Sequence, residues 1–201
     1  YKAVLDNPSL VAVHAMMMSI PYQVGFSPSR WHEVVDVMLE KEAGNPKQHR
    51  LRIVALLESD YNQSQRILVA RRLSHHMEDH ALIPEMQYGS RPSKMCVRSV
   101  LNKVISYDIV RQTKVNGAFI ENDAIGCYDR LVNNLVFLEF RRLGLPKSVL
   151  QCIQDTWNHA RHHIKTKYGY STCTYSNNED IPLFGPGQGS TTGPPFWGVL
   201  F

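Results

Sequence analysis

The stretch Phe119–Leu131, FIENDAIGCYDRL, sets two carboxylates, Asp123 and Asp129, six positions apart with a cysteine and a tyrosine between them. Asn116-Gly117 is a turn signal, and the apolar residues behind it predict a short strand, AFIEND, running into Asp123. An Asp at a strand end has two readings. It caps a turn, or it is a metal ligand that the strand holds rigidly. Mg²⁺ takes one or two such oxygens together with water and substrate phosphate. Asp129 reads differently, as the cap of a helix RLVNNLVFLEFRRLG, where a carboxylate accepts backbone N–H bonds at the positive dipole end. The two acids need not share a metal.

The chain has 201 residues, enough for one domain or a large piece of a bigger one. Apolar residues make up 43%, with three Trp, nine Tyr and seven Phe, so a core can form. The net charge of +4 permits an anionic partner without requiring one. Basic residues gather at Arg66, Arg71 and Arg72, at Arg91, Lys94 and Arg98, and at Arg161, Lys165 and Lys167. Solvated helix faces and anion-binding surfaces both carry such clusters. The four cysteines show no CxxC pairing, which argues against a zinc site and a disulfide scaffold and fits a reducing, intracellular compartment. The early apolar run LVAVHAMMMSI, eleven residues, is too short to span a bilayer and lacks signal-peptide flanks, so no membrane partner is expected. The start at Tyr1 and the stop at Phe201 inside an apolar run read as the ends of a piece cut from a longer protein.

Element signals are plain in most places. NPSLVAVHAMMMSI predicts a short helix capped at Asn7, and SPSRWHEVVDVMLEKEAG a second, with Ser29 as cap, Trp31, Val34, Val35, Met38 and Leu39 at helical spacing, and Gly44 as stop. HRLRIVALLE predicts a strand. SDYNQSQRILVARRLSHHMEDHALI predicts a long helix with Ile67, Leu68, Leu73 and Met77 inward, and CVRSVLNKVISYDIVRQTK an amphipathic one. Pro146 opens a further helix, PKSVLQCIQDTWNHARHH, and IKTKYGYSTCTYS reads as strand with turn. Helices outnumber strands without regular alternation, which implies an α+β fold. His75, His76 and His80 do not form HExxH and read as a solvated helix face; His159, His162 and His163, near a helix C-terminus, are given no ligand role.

The loop FGPGQGSTTGPPFW lets a ligand approach the main chain at Gly185, Gly187 and Gly189, but its GxGxG spacing is not a dinucleotide fingerprint and no Lys precedes the Ser as in a P-loop. A plain surface loop is the other reading. The combination is more specific. FIENDAIGCYDRL followed by GPGQGSTTGPPFW resembles the two palm motifs of reverse transcriptases, especially those of non-LTR retrotransposons and related retroelements. LRIVALLESDYNQSQRILVARRL is similar to the fingers motif of that family, and EMQYGSRPSK to the motif that follows it. The four stretches, in family order, cover about residues 50 to 201; the first fifty carry no such motif. Two departures stand out: Arg52-Ile53-Val54 where the family usually has Arg-Pro-Ile, and Ser90 where it usually has Phe.

The resemblance implies the fingers and partial palm of a right-hand polymerase, with a small antiparallel sheet: an N-terminal helical segment over 1–49, a fingers-like region over 50–117, and a partial palm over 118–201. It implies RNA-directed DNA polymerase chemistry, in which a primer hydroxyl attacks the α-phosphorus of a dNTP and two Mg²⁺ ions clamp the attacking and leaving oxygens. By resemblance Asp123 holds metal and the Ala124 backbone lies beside the triphosphate. Tyr128 lies under the sugar, where its ring excludes a 2′-hydroxyl. Gln188 and Gly189 border the nucleotide, and Arg52 clamps phosphate. Arg91, Lys94 and Arg98 follow the backbone of an RNA template and DNA primer. A viral RNA-dependent RNA polymerase would usually avoid the aromatic gate and prefer Ser-Gly in the loop, so Tyr128 and Gln188 favour DNA synthesis. The alternative of another class is a non-catalytic retroelement remnant that at most binds nucleic acid. The remaining metal ligands of the family come from a paired-Asp hairpin after the Gln-Gly loop, and no aromatic-x-Asp-Asp occurs in the 201 residues. One carboxylate cannot orient two divalent ions. The expected outcome of primer extension by these residues, on an RNA template with dNTPs and Mg²⁺, is therefore no product; robust extension would show the metal site to be misassigned.

Overall fold

The computed structural model describes residues 6–45, 47, 50–123, 128–178 and 182–200. Helix α1 (Pro8–Val24) starts where its sequence predicts. The Asn7 side chain accepts from the Ser9 and Leu10 backbone N–H groups at 3.1 and 3.3 Å, and Gly25, in the left-handed region, closes the other end. The next segment departs from expectation. Ser29–His32 makes a single 3₁₀ turn and Glu33–Glu40 is strand β1, not helix. Valines at 34, 35 and 37 favour the extended backbone, and β1 finds pairing partners on both edges. Pairing outweighs a periodicity that short apolar runs leave ambiguous.

Strand β2 (Leu51–Leu56) pairs antiparallel with β1, and β3 (Arg161–Thr166) pairs parallel with it. Strand β4 (Gly169–Ser176) folds back on β3, completing the order β2-β1-β3-β4. The fold is α+β, as the sequence implies, but the sheet is mixed rather than antiparallel. The helical body lies between β1 and β3 in the chain, and a parallel pair requires a long connection of that kind.

After β2 the chain enters α2 (Ser59–Gln65), passes through a π-helical stretch (Arg66–Leu73) and continues as α3 (Ser74–Asp79). Tyr61, Gln65, Val69, Leu73 and Met77 are all buried at a strict four-residue spacing. In an α-helix that spacing drifts by about 40° per step. The wider π turns rotate fewer degrees per residue, which returns the stripe to the core. Val69, not Ile67, is therefore an inward residue, and Ile67 is exposed.

Helix α4 (Cys96–Thr113) follows and buries none of its side chains. The predicted strand at 118–123 does not form: residues 115–123 run without regular structure, with Glu121 accepting from Tyr107 of α4 at 2.7 Å and paired to Lys103. No described strand lies beside this segment, and an unpaired strand cannot satisfy its own backbone groups. Helix α5 (Asn133–Arg142) begins after a 3₁₀ turn over Tyr128–Arg130, past the predicted Asp129 cap. Helix α6 (Lys147–Asn158) follows Pro146 but stops short of its predicted end at His163, because Arg161–His163 pair with β1 as the start of β3; α7 (Gly193–Leu200) ends the described chain. Among the described residues no helix is long and apolar enough to cross a membrane.

The core lies among the helices. Trp31, 1% exposed, sits between Tyr22 and Tyr61, at ring-centroid distances of 5.6 and 5.4 Å. Trp157 donates through Nε1 to the Tyr61 hydroxyl at 3.0 Å and meets Phe137 and Phe196, so one aromatic cluster joins α2, α5, α6 and α7. Phe140 is fully buried against Phe196 at 4.7 Å, whereas Leu101 of α4 is 53% exposed. Phe140→Ala is expected to lower the unfolding free energy by about 3–5 kcal/mol, and Leu101→Ala by no more than about 0.5 kcal/mol, in urea denaturation followed by circular dichroism.

Candidate functional site

A cavity of about 360 Å³ opens between the sheet and residues 182–188 of the glycine-rich loop. Three groups of hydrogen bonds fix its roof. At one end the Gly185 N–H donates to the Leu131 carbonyl at 3.0 Å and to Asn133 Oδ1 at 2.9 Å. In the middle the Ala55 N–H, on the free edge of β2, donates to the Gln188 carbonyl at 2.6 Å. Beyond it Asn62 Oδ1 accepts from the Thr191 N–H and hydroxyl at 3.2 and 3.0 Å. Gly189 has φ +117°, and a Cβ there would collide with the Ala55 carbonyl oxygen. Only glycine allows that approach.

The floor is polar and comes from three strands. Asp36 of β1, 1% exposed, accepts from the Tyr175 hydroxyl of β4 and lies 3.0 Å from His162 Nδ1 of β3. The His162 and Tyr175 rings stack at 4.9 Å. Register explains the grouping: Val34 pairs with His162, and His162 with Tyr175, so alternation brings the three side chains to one face. Burial first, and then the Asp36 carboxylate, push the Tyr175 phenol well above its usual range. The next residue of β3, His163, faces the other way and meets Glu33 at 2.7 Å. That bond, aided by Arg161, holds Glu33 below the usual carboxylate range.

The residues singled out in the sequence are divided. Arg52 and Gln188 both line the cavity, and Gly189 seats the loop on β2. Arg52 alternates with Ile53 and Ala55, so it borders the cavity from the sheet edge instead of pointing across its floor. Asp123 is exposed and does not line the cavity. Tyr128 does not line it either; its ring packs on Gly193 and lies edge-on to Trp197 of α7 at 6.4 Å. Ala124 lies outside the described residues. Arg91 is engaged internally: its guanidinium makes two 2.7 Å bonds to Glu78 and donates to the carbonyls of Pro84 and Gln87 at 2.6 and 2.9 Å. It locks the 80–91 loop and holds Glu78 below the ordinary carboxylate range. Lys94 reaches over the Tyr88 ring at 5.7 Å, and Arg98 is exposed on α4.

Asp36, His162 and Tyr175 carry no sequence signal as a group, being 126 and 139 positions apart. A correct strand at 33–40 would have been the clue, since it places a carboxylate among valines on a buried face. No protein-family model matches the chain, and no curated protein matches it.

The Tyr175 shift gives a sign for alkaline behaviour. Its folded pKa lies above the unfolded value of 10.0, so the native state keeps a proton that the unfolded chain loses as pH rises past 10. Below pH 10 its contribution is whole; above it, the contribution shrinks. Tyr175→Phe is therefore expected to be less stable than the parent at pH 8, with the gap narrowing between pH 10 and 11 in urea denaturation.

Proposed function

We propose that the chain carries fingers and palm elements of a reverse transcriptase, an enzyme that adds deoxynucleotides to a primer 3′ end on an RNA template with Mg²⁺. The observation that carries this reading is that the two segments with the palm-like motifs, far apart in sequence, pack on each other. Gly185 is bonded to Leu131 and Asn133, and Tyr128 packs against Gly193 and Trp197. A shared nucleotide requires the two motif segments to be neighbours; the contact is made by residues 128–133, and Asp123 lies off the cavity.

On this proposal the nucleotide enters the cavity beneath Gln188, with Arg52 at its rim toward the phosphates. Asp123 must then reach the bound triphosphate with its Mg²⁺. Its segment leaves Phe119 45% and Ile120 84% exposed, so a position that buries them gains apolar contact. Nucleic acid has a separate surface available. On the β3–β4 hairpin, Lys165 lies over Tyr170 and Lys167 over Tyr168, with Tyr168 88% exposed. Cations beside exposed rings suit single strands, which offer phosphates and stackable bases together.

The test is calorimetric titration with a dNTP and Mg²⁺, paired with fluorescence anisotropy on a labelled RNA–DNA template–primer. Gln188→Ala and Arg52→Ala are each expected to weaken dNTP binding by about tenfold or more, as for the loss of a hydrogen bond to a charged group. Asp123→Asn should remove the Mg²⁺ dependence. Lys167→Ala should lower the salt slope of template–primer binding by about one. Nucleotide binding indifferent to all three cavity and metal substitutions would overturn the proposal. Template–primer binding without any dNTP binding would favour the non-catalytic alternative.

A further inference from the structure

On the helical side of the β1 N-terminus, His32, Asp155 and His159 each bring one ligand-type atom to within 4.8 Å of the others. Asp155 and His159 stand one turn apart at the end of α6, four residues being the spacing that aligns side chains on a helix. His32 comes from the 3₁₀ turn that α6 packs against.

The hydrogen bonds around the three groups assign their protons. Thr156 Oγ1 donates to the Cys152 carbonyl at 2.8 Å, which uses its only proton. The Ser27 hydroxyl, 2.8 Å from Thr156 Oγ1, must then be the donor of that pair. Its oxygen is left to accept, so the 3.1 Å contact with His32 Nε2 is an N–H donated by the imidazole. His32 is thereby set with a bare lone pair at Nδ1. His159 Nδ1 lies 2.9 Å from the Asp155 main-chain carbonyl and 3.0 Å from Asp155 Oδ1, both acceptors, so Nδ1 carries the proton and Nε2 the lone pair; a ligating His159 must turn its ring to give up the Oδ1 contact. Asp155 Oδ2 accepts from the Ser27 backbone N–H at 2.9 Å, which holds the carboxylate in place. Two imidazoles with one nitrogen tied to a protein acceptor and the other free, beside an oriented carboxylate, are the outer-shell arrangement that metal ligands require.

We propose that His32, Asp155 and His159 form a binding site for a borderline first-row divalent cation of the zinc class, with a fourth position open to water. Two imidazoles and one carboxylate select such an ion over Mg²⁺, which prefers oxygen donors. Bonds of about 2.1 Å in tetrahedral geometry place donors about 3.4 Å apart, so binding must turn the His159 ring out of its stack on His32, at a centroid distance of 5.4 Å, to present Nε2. The site uses no cysteine, which is why cysteine spacing gives no hint of it. It is independent of the polymerase reading.

Isothermal titration of the purified 201-residue chain with Zn²⁺, and optical titration with Co²⁺, test the proposal. The expected result is one saturable site, with Co²⁺ giving the visible bands of a four-coordinate ion. His159→Ala and Asp155→Asn should each weaken Zn²⁺ binding by more than about tenfold, and Ser27→Ala, through the lost tautomer control, by about tenfold. His159 is exposed, so its removal leaves folding intact, checked by circular dichroism. The control is the double variant His76→Ala and His80→Ala, a histidine pair 4.2 Å apart on α3 and its C-cap, which should bind Zn²⁺ as the parent does. Absence of saturable binding, binding unchanged in His159→Ala, or binding lost in the control would each overturn the site.

Discussion

The Ala55 N–H bond to the Gln188 carbonyl, 2.6 Å long, organises everything around the cavity. Strand β2 is an edge, and an edge leaves a row of unpaired donors and acceptors. Here the glycine-rich loop takes the place of a further strand for one residue, satisfies the Ala55 donor, and lets the Ala55 carbonyl pass close to Gly189. The loop reaches that position because Asn62 grips Thr191 on one side and Asn133 grips Gly185 on the other. Two asparagine side chains thus replace the ladder that the loop cannot form. Removing the close approach at Gly189 would lift the loop and open the cavity along the sheet edge.

The second constraint is electrostatic. A carboxylate that is 1% exposed needs partners that replace water, and Asp36 has a phenol donor and an imidazole. These partners come from β3 and β4, so the parallel β1–β3 register is coupled to a buried polar contact as well as to a backbone ladder. A shift of β3 by one residue would replace His162 with His163 or Arg161 and turn His162 to the opposite face. Val34, Ala55 and Ala160 are small where they meet, which leaves room for the cavity above the same face.

Much of this was legible in the sequence, and the failures have physical causes. Asn7 opens α1 and Gly144, at φ +89°, ends α5, because capping is local. The β3–β4 hairpin was legible from Ile164 onward, whereas Arg161–His163 read as the end of the preceding helix and became strand through pairing with β1. Strand β1 was concealed because Trp31, Val34, Val35, Met38 and Leu39 fit a helical period and not the alternation of a strand; pairing with β3, more than a hundred residues away, overrode that pattern. The segment before Asp123 shows the converse. AFIEND has strand composition, yet no described neighbour offers it a ladder, and it lies along α4 through Glu121 and Phe119. Arg52, Gln188 and Gly189 were singled out through the family resemblance and the glycine-rich loop, and Arg52 and Gln188 do line the cavity. Asp36 with its partners, and the His32–Asp155–His159 group, are products of long-range topology, to which a linear pattern is blind.

The ties between residues 128–133 and 185–197 have a mechanical consequence. Tyr128 packs on the first turn of α7, and Leu131 and Asn133 share the Gly185 N–H, so the loop over the cavity and the chain that follows Asp123 are fastened at both ends of a short span. A ligand that raises or lowers Gln188 strains the Gly185 bonds, and the least costly response is for 128–133 to follow. Tyr128 transmits the same displacement through Gly193, where its ring fills the space a side chain would need. Motion of the roof is therefore coupled to residues 128–133. Whatever displaces Gln188 is felt at Tyr128, Leu131 and Asn133 through two hydrogen bonds and one aromatic contact, and the cavity cannot change its roof without moving the start of α5.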